Sequence, residues 1–461
     1  MDKTFHHCIN KILAADAILT DQADCLTYGF DNSRRQSTPD MVVFPTTEQH
    51  VIDIVRCCYQ YNIVVVARGR GTGTTGATVP PQGSLVISFE KMNRILDMDA
   101  ANRIIVVQPG VTNEEVQIAA GKNGFFWPPD PTSAAFCTVG GNLAYNSAGP
   151  RAIKYGTCRE NTLGLHAVTG TGELIKCGVR TTKGVVGYDL TRLIIGSEGS
   201  LAIITQATLK LLPIAKSRRT LKATYQSIES ATQAVAKIMA QPTVPCALEF
   251  IDKNALNMIR DYSAIDIPAS VSALLMIEVD GNEEDINQSV KNIQQACALD
   301  GHIETTVAQT EQEVKDLWMT RKALSPSLRK IAPKKINEDI VVPVSKLATF
   351  INQLNSLSQQ FSIPIVNFGH AGNGNIHVNL LIDPDDKEQM QAAEICLDKI
   401  FDLVLSLNGT LSGEHGVGLE KRDFIHKELG HTEIALMHNI KKVFDPENIL
   451  NPGKTLPPES R

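Results

Sequence analysis

Apolar positions recur along this chain with two periods, and the changes between them divide it into three segments. From 1 to 214, short apolar runs at 41–44, 62–67, 85–89 and 103–108 predict strands, with an amphipathic helix over 48–61 and many glycine-rich turns. From 215 to 406, strands at 220–224, 247–251, 272–279 and 303–308 alternate with amphipathic helices at 228–240, 283–298 and 311–324. That alternation predicts an α+β layer, with helices packed on a largely antiparallel sheet. Residues 407–461 read as a helical segment that returns to the first domain.

The densest chemistry lies where the period is strictly two. Ile363 to Phe368 runs into Gly372-Asn373-Gly374-Asn375 and then into Ile376-His377-Val378-Asn379-Leu380, which predicts a β-hairpin. Alternation puts Ile376, Val378 and Leu380 on one face, and His377 and Asn379 on the other. His370, near the end of the opposite strand, comes within reach of His377. Asn373 and Asn375 are expected to serve the turn. Downstream, Ser412-Gly413-Glu414-His415-Gly416 sets a carboxylate beside another imidazole between glycines. Two histidines flanking a turn are more often solvated than ligating, but His370, His377 and Glu414 together make a set that holds a catalytic zinc with an open position. His415 is then left over as a general base.

Composition narrows the field. The 461 residues are 43% hydrophobic and 20% charged with a formal net charge of -6, ordinary for a globular protein and without a basic footprint for nucleic acid. No window reaches membrane-spanning length, and Met1 to Leu19 lacks the continuous apolar core of a secretory signal. The ten cysteines contain no C-x-x-C, so no disulfide framework, iron-sulfur site or structural zinc site is expected, and a cytoplasmic location fits.

Two glycine-rich runs stand in the first segment. Gly71-x-Gly73-x-x-Gly76 follows a strand and imitates a dinucleotide fingerprint, with Glu90 at a plausible distance. Pro80 and Pro81 forbid the helix that should come next. The stretch Arg68-Gly69-Arg70-Gly71-Thr72-Gly73-Thr74 is better read as a loop whose backbone N–H groups form an anion-binding concavity, with Arg68 and Arg70 adding charge. A second glycine loop is expected at Gly140-Gly141-Asn142, running on through Asn146 and Ser147. Two such loops suggest an extended ligand.

These pieces, with Gly187-Tyr188-Asp189-Leu190, Gly196-Ser197-Glu198-Gly199-Ser200 and Asp445-Pro446-Glu447-Asn448-Ile449-Leu450-Asn451-Pro452-Gly453, resemble the flavoprotein oxidoreductases of the vanillyl-alcohol oxidase and p-cresol methylhydroxylase type. Within that family the chain is similar to the D-2-hydroxy acid dehydrogenases. The resemblance implies an α+β fold: a two-subdomain FAD-binding domain over 1–214, an α+β cap that binds substrate over 215–406, and a segment over 407–461 completing the site. It implies FAD with its pyrophosphate over Gly69 to Thr74 and Gly140-Gly141, its adenine end near Glu198, Gly199 and Ile203, and further contacts from Pro131, Thr132, Asn142, Asn146, Ser147 and Asn451. The loop carries neither His nor Cys as a tether, so FAD is expected to be non-covalent. Cys137 reads as a small buried hydrophobe.

Trp318, Arg321 and Ser325 recur at helical spacing, and the resemblance gives Arg321 the substrate carboxylate, with Ser325, Lys335 and Asn379 as further contacts. A zinc-like ion (manganese or iron being compatible) would acidify the substrate hydroxyl and His415 would take its proton. The implied activity is oxidation of a D-2-hydroxy acid, D-lactate before D-2-hydroxyglutarate. Electrons would pass to a quinone, an electron-transfer flavoprotein or an iron-sulfur protein. A homodimer and a peripheral position at the inner face of a membrane are both compatible. An oxygen-using alcohol oxidase and a flavin-bearing subunit of an electron-transfer complex are the competing readings.

Overall fold

The computed structural model describes residues 1–260 and 265–458, apart from the side chains at 325, 326 and 329–331. The chain forms two compact units, one from Met1–Ala148, Gly156–Ile214 and Glu414–Arg461, the other from Gly149–Tyr155 and Ala215–Gly413.

Among the described residues the first unit holds two larger sheets and a short pairing of Phe125–Phe126 with Leu212–Pro213. In one, the strands run in the order Ile18–Leu19, Met41–Val43, Leu85–Ser88, Val65–Arg68, the last three parallel. Their crossover is the helix Glu48–Tyr61, capped by the Thr47 side chain and ended by left-handed Asn62. Val51, Ile54, Val55 and Cys58 of that helix, spaced as one face, are fully buried against the strands. The other sheet is antiparallel, in the order Ile95–Asp99, Ile104–Val107, Ala202–Lys210, Thr162–Thr169, Leu174–Gly178.

Two expectations are corrected in this unit. The second glycine-rich run is a helix, Val139–Tyr145, and not a loop. Its Thr138 cap accepts from Gly141 N–H, and Val139 and Leu143 bury in the cluster of Val107 and Ala207. That burial outweighs about 1 kcal/mol of helix propensity lost at each of Gly140 and Gly141. Cys8 and Cys57 are also paired as a disulfide, with Cα atoms 6.5 Å apart. They face each other from helices distant in sequence, so no local motif announces them.

The second unit is built on one seven-stranded, wholly antiparallel sheet. Its order is His302–Val307, Ser217–Tyr225, Ala273–Gly281, Ala247–Asp252, Ile365–His370, Asn375–Ile382, Lys334–Val341. The helix Glu311–Ile331 runs past the predicted end at 324 because Leu324 and Leu328 continue the buried stripe begun by Leu317. The short Gly149–Tyr155 stretch joins this unit from far upstream. Lys154 Nζ (2.5 Å) and Tyr155 Oη (2.6 Å) both donate to the Asp280 carboxylate. Among the described residues no helix is long and apolar enough to cross a membrane.

The predicted hairpin is present, its strands joined by a single 3-10 turn over Ala371–Asn373. Asn375 is not a turn residue as expected: it opens the second strand and its amide donates to Asp339 Oδ1 (2.7 Å) and Ile340 O (2.9 Å). Gly374 takes the turn position, with φ of 74° and no room for a Cβ beside the Val342 carbonyl oxygen. Gly374→Ala should therefore destabilise the second unit by ~3 kcal/mol, combining left-handed strain and the clash. Chemical denaturation checks this, and a variant as stable as the parent would show that the turn can relax.

Candidate active site

Register decides which side chains share the second unit's sheet face. Glu249 lies opposite His370, Phe368 opposite His377, and His377 in turn opposite Asp339. Directly opposed residues point to the same side, so these residues, with Asn379, Asn337 and Lys335 in step, line one face. The rings of His370 and His377 stand edge to face with centroids 5.3 Å apart.

Glu249 ties this face together. It is wholly buried; Oε1 meets His370 Nδ1 at 2.5 Å and Oε2 accepts from Arg321 Nε at 2.6 Å. Burial pushes its carboxyl up, but the His370 and Arg321 charges outweigh that and bring it down to about 2. The Arg321 guanidinium also lies over the Phe368 ring, 4.9 Å from its centroid. On the same helix, Trp318 Nε1 donates to Glu278 Oε2 at 3.2 Å. The Ser325 side chain lies outside the described residues.

Asp339 is the counterpart on the other side. Wholly buried, it stands 3.6 Å from His377 Nδ1 and accepts from Asn375 and from the Gly413 N–H (2.9 Å). Each hairpin histidine thus turns Nδ1 toward a buried carboxylate, which leaves Nε2 on the far side of the ring. The chain continues from Gly413 straight into Glu414 and His415. Sequence reading missed Glu249 and Asp339. The signal was there for Glu249: one acid in the apolar run Ala247-Leu248-Glu249-Phe250-Ile251, at a position where alternation demands burial. Asn379 donates to Val366 O and His377 O, while its buried Oδ1 has no protein partner.

The first unit holds a cleft whose wall includes Arg68, Gly69, Gly140, Gly141, Glu198, Gly199 and Ile203, along with Thr78, Tyr145 and Ser197. Arg70, Gly71, Thr72, Gly73, Thr74, Pro131, Thr132, Asn142, Asn146, Ser147 and Asn451 are not on that wall. Several hold it from behind. Thr72 O and Gly73 O accept from Asn32, Asn146 Oδ1 accepts from Thr157 and Arg159, and Asn451 donates to Ala77 O and Glu198 O. Arg70 pairs with Glu90 at 3.8 Å. Cys137 is buried as expected, beside Asn142.

Residues 39–178 match the FAD binding domain family and residues 214–455 match the family described as FAD linked oxidases, C-terminal domain. The chain belongs to the FAD-linked oxidase family. It is 39% identical to the glycolate oxidase subunit GlcD of Bacillus subtilis, covering 95% of this chain and 93% of that one. It is 34% identical to a D-lactate dehydrogenase of Anaerostipes hadrus, covering 96% and 94%. In fold it is similar to p-cresol methylhydroxylase, with a TM-score of 0.80 at 16% identity over 99% of this chain and 97% of that one.

The cleft suits the cofactor of an FAD-linked oxidase. Arg68 is buried, yet its Nη1 has no protein partner, and neither do the buried Thr78, Tyr145 and Ser197 hydroxyls. Four unsatisfied polar groups in one cleft call for a polar ligand, and the guanidinium for an anionic one.

Behind the cleft, Lys454 donates to Ala77 O and Asn451 Oδ1. Burial pulls its amine down to about 7, against the opposing pull of Asp31 and Glu198. Its ordinary value is 10.5. The folded chain therefore sheds a proton between pH 7 and 10.5 that the unfolded chain keeps, and the cost of burying the charge is relieved as pH rises. Compared with a Lys454→Met variant, the parent should gain thermal stability from pH 7 toward 10, and a pH-independent difference between the two melting curves would refute this.

Proposed function

We propose that this FAD-linked oxidase is a dehydrogenase of D-2-hydroxy acids, with D-lactate favoured and D-2-hydroxyglutarate second. The observation that carries the reading is Glu249, which joins a histidine suited to a metal and an arginine suited to a carboxylate on one sheet face. A 2-hydroxy acid needs both, one for its hydroxyl and one for its acid group.

Arg321 Nε is committed to Glu249, so the outer Nη edge of its fork meets the substrate carboxylate. Asn379, on the same face as His377, contacts the substrate or orients that ligand, and Lys335, also on this face, lies along the path of a longer side chain. His370, His377 and Glu414 would hold a divalent ion, zinc favoured, which would supply Lewis acidity toward the substrate hydroxyl. His415 accepts the hydroxyl proton. The cleft would hold FAD non-covalently, and FAD would supply the acceptor for the C2 hydride. The names of the relatives support this class without choosing within it, since one is a D-lactate dehydrogenase and another a glycolate oxidase subunit. The word subunit also supports a protein acceptor for the electrons, such as an iron-sulfur partner, beside a quinone or an electron-transfer flavoprotein.

The purified yellow protein, kept anaerobic, should bleach with a D-2-hydroxy acid and not with its L-enantiomer, lose the response to EDTA and regain it with zinc or manganese. No bleaching by any hydroxy acid refutes the reading in favour of a purely electron-transferring subunit. In the same assay Arg321→Lys, which removes the planar fork, should raise KM roughly tenfold or more with less effect on the limiting rate. An unchanged KM would remove Arg321 from the carboxylate site.

A further inference from the structure

The sequence resemblance gives Glu198 to the adenine end of the cofactor, but its side chain is turned to another task. Oε1 accepts from the backbone N–H of Val417 at 2.5 Å, and Oε2 accepts from Gly418 N–H at 2.8 Å and from Thr455 Oγ1 at 2.7 Å. Both backbone donors lie just beyond His415. The residue itself is 5% exposed and held in the left-handed region at φ of 54°, with its own N–H on Ala144 O and its carbonyl on Asn451. A conformation that unfavourable for a glutamate persists only where surrounding bonds demand it.

Thr75, at the end of the glycine-rich loop, grips the same stretch. Its carbonyl accepts from Leu419 N–H (2.7 Å) and Glu420 N–H (3.2 Å), and its hydroxyl donates to His415 O (3.4 Å). Between these anchors Gly416 has φ of 84°, and a Cβ there would meet the Tyr145 ring at 2.7 Å and the Glu198 carboxylate. The loop after His415 is thus pressed onto Tyr145 and Glu198, two residues of the cleft wall.

We propose that Glu198 is a positioning residue for His415: its carboxylate, clamping two successive N–H groups, fixes the loop that presents the base, and ties that loop to the wall of the cofactor cleft. The proposal rests on the assignment of His415 as the base. Charge-assisted bonds to two adjacent amides define a peptide plane far better than one neutral bond, and a base displaced by a fraction of an ångström loses much of its rate.

The test is anaerobic flavin reduction by a saturating D-2-hydroxy acid in Glu198→Gln, His415→Ala and the double variant. Glu198→Gln keeps the shape but turns an NH2 toward one of the loop donors. It should retain FAD and bind substrate with unchanged affinity, yet reduce its flavin on the order of 100-fold more slowly, with the pH dependence of the rate displaced. The double variant should be no slower than His415→Ala alone, because Glu198 acts only through that residue. Full speed in Glu198→Gln, additive losses in the double variant, or loss of FAD would each overturn the proposal. Full speed in His415→Ala would instead overturn the base itself, so the two failures are told apart. Should Glu198→Gln not fold, Thr75→Val, which removes the hydroxyl that donates to His415 O, takes its place in the cycle. It should slow reduction severalfold, again without adding to His415→Ala.

Discussion

A single buried carboxylate, Glu249, governs the chemistry of the second unit. The Arg321 guanidinium and a His370 ring nitrogen meet its two oxygens at hydrogen-bond distance, which is how an ionised group survives full burial. Removing either partner would strand the charge, so His370 and Arg321 are held where they stand by something stronger than their own packing. The arrangement does for the histidine what a carboxylate does behind many metal ligands: it fixes tautomer and ring orientation together. Asp339 repeats the device behind His377 with a longer approach and more backbone bonds. Long strands in fixed register make this possible, because opposed residues reach the same face without any loop to position them.

The first unit achieves rigidity by other means. Its cleft is walled by residues from several distant stretches, and the polar side chains behind the wall are spent on one another and on backbone. Asn451, Lys454 and Glu198 form such a knot, in which each donor or acceptor fixes a neighbour. Of the buried polar groups left unsatisfied among this unit's described residues, those of Arg68, Thr78, Tyr145 and Ser197 line the space a cofactor would fill, while those of Ser88 and Thr162 lie elsewhere.

Much of this was legible from periodicity. The helix over 48–61, the helix over 228–240 and the hairpin all follow from apolar spacing and one turn signal. Alternation put His377 and Asn379 on one face and the turn brought His370 within reach, but that both rings share the face rests on the register across the hairpin. The glycine run at 139–145 was misread because propensity argues against a helix there, and only the tertiary burial of Val139 and Leu143 reverses the balance. Asn375 was misread because an asparagine beside Gly374 looks like a turn residue until the buried carboxylate of Asp339 supplies its partner. Glu249 shows locally as a lone acid in an apolar run, but its pairing with His370, like that of Asp339 with His377, joins strands apart in sequence and cannot be read from either segment alone.

The Gly149–Tyr155 stretch has a consequence for how such proteins can be cut and recombined. The second unit looks, along the sequence, like an insertion with clean ends at 215 and 413, yet Asp280 within it is buried under a lysine and a tyrosine that arrive from before residue 156. A fragment taken at the apparent ends would leave that acid without two of its donors. An exchange of this unit between relatives would have to carry a small, distant piece of chain with it, so the unit's lineage is tied to that of the sequence it interrupts.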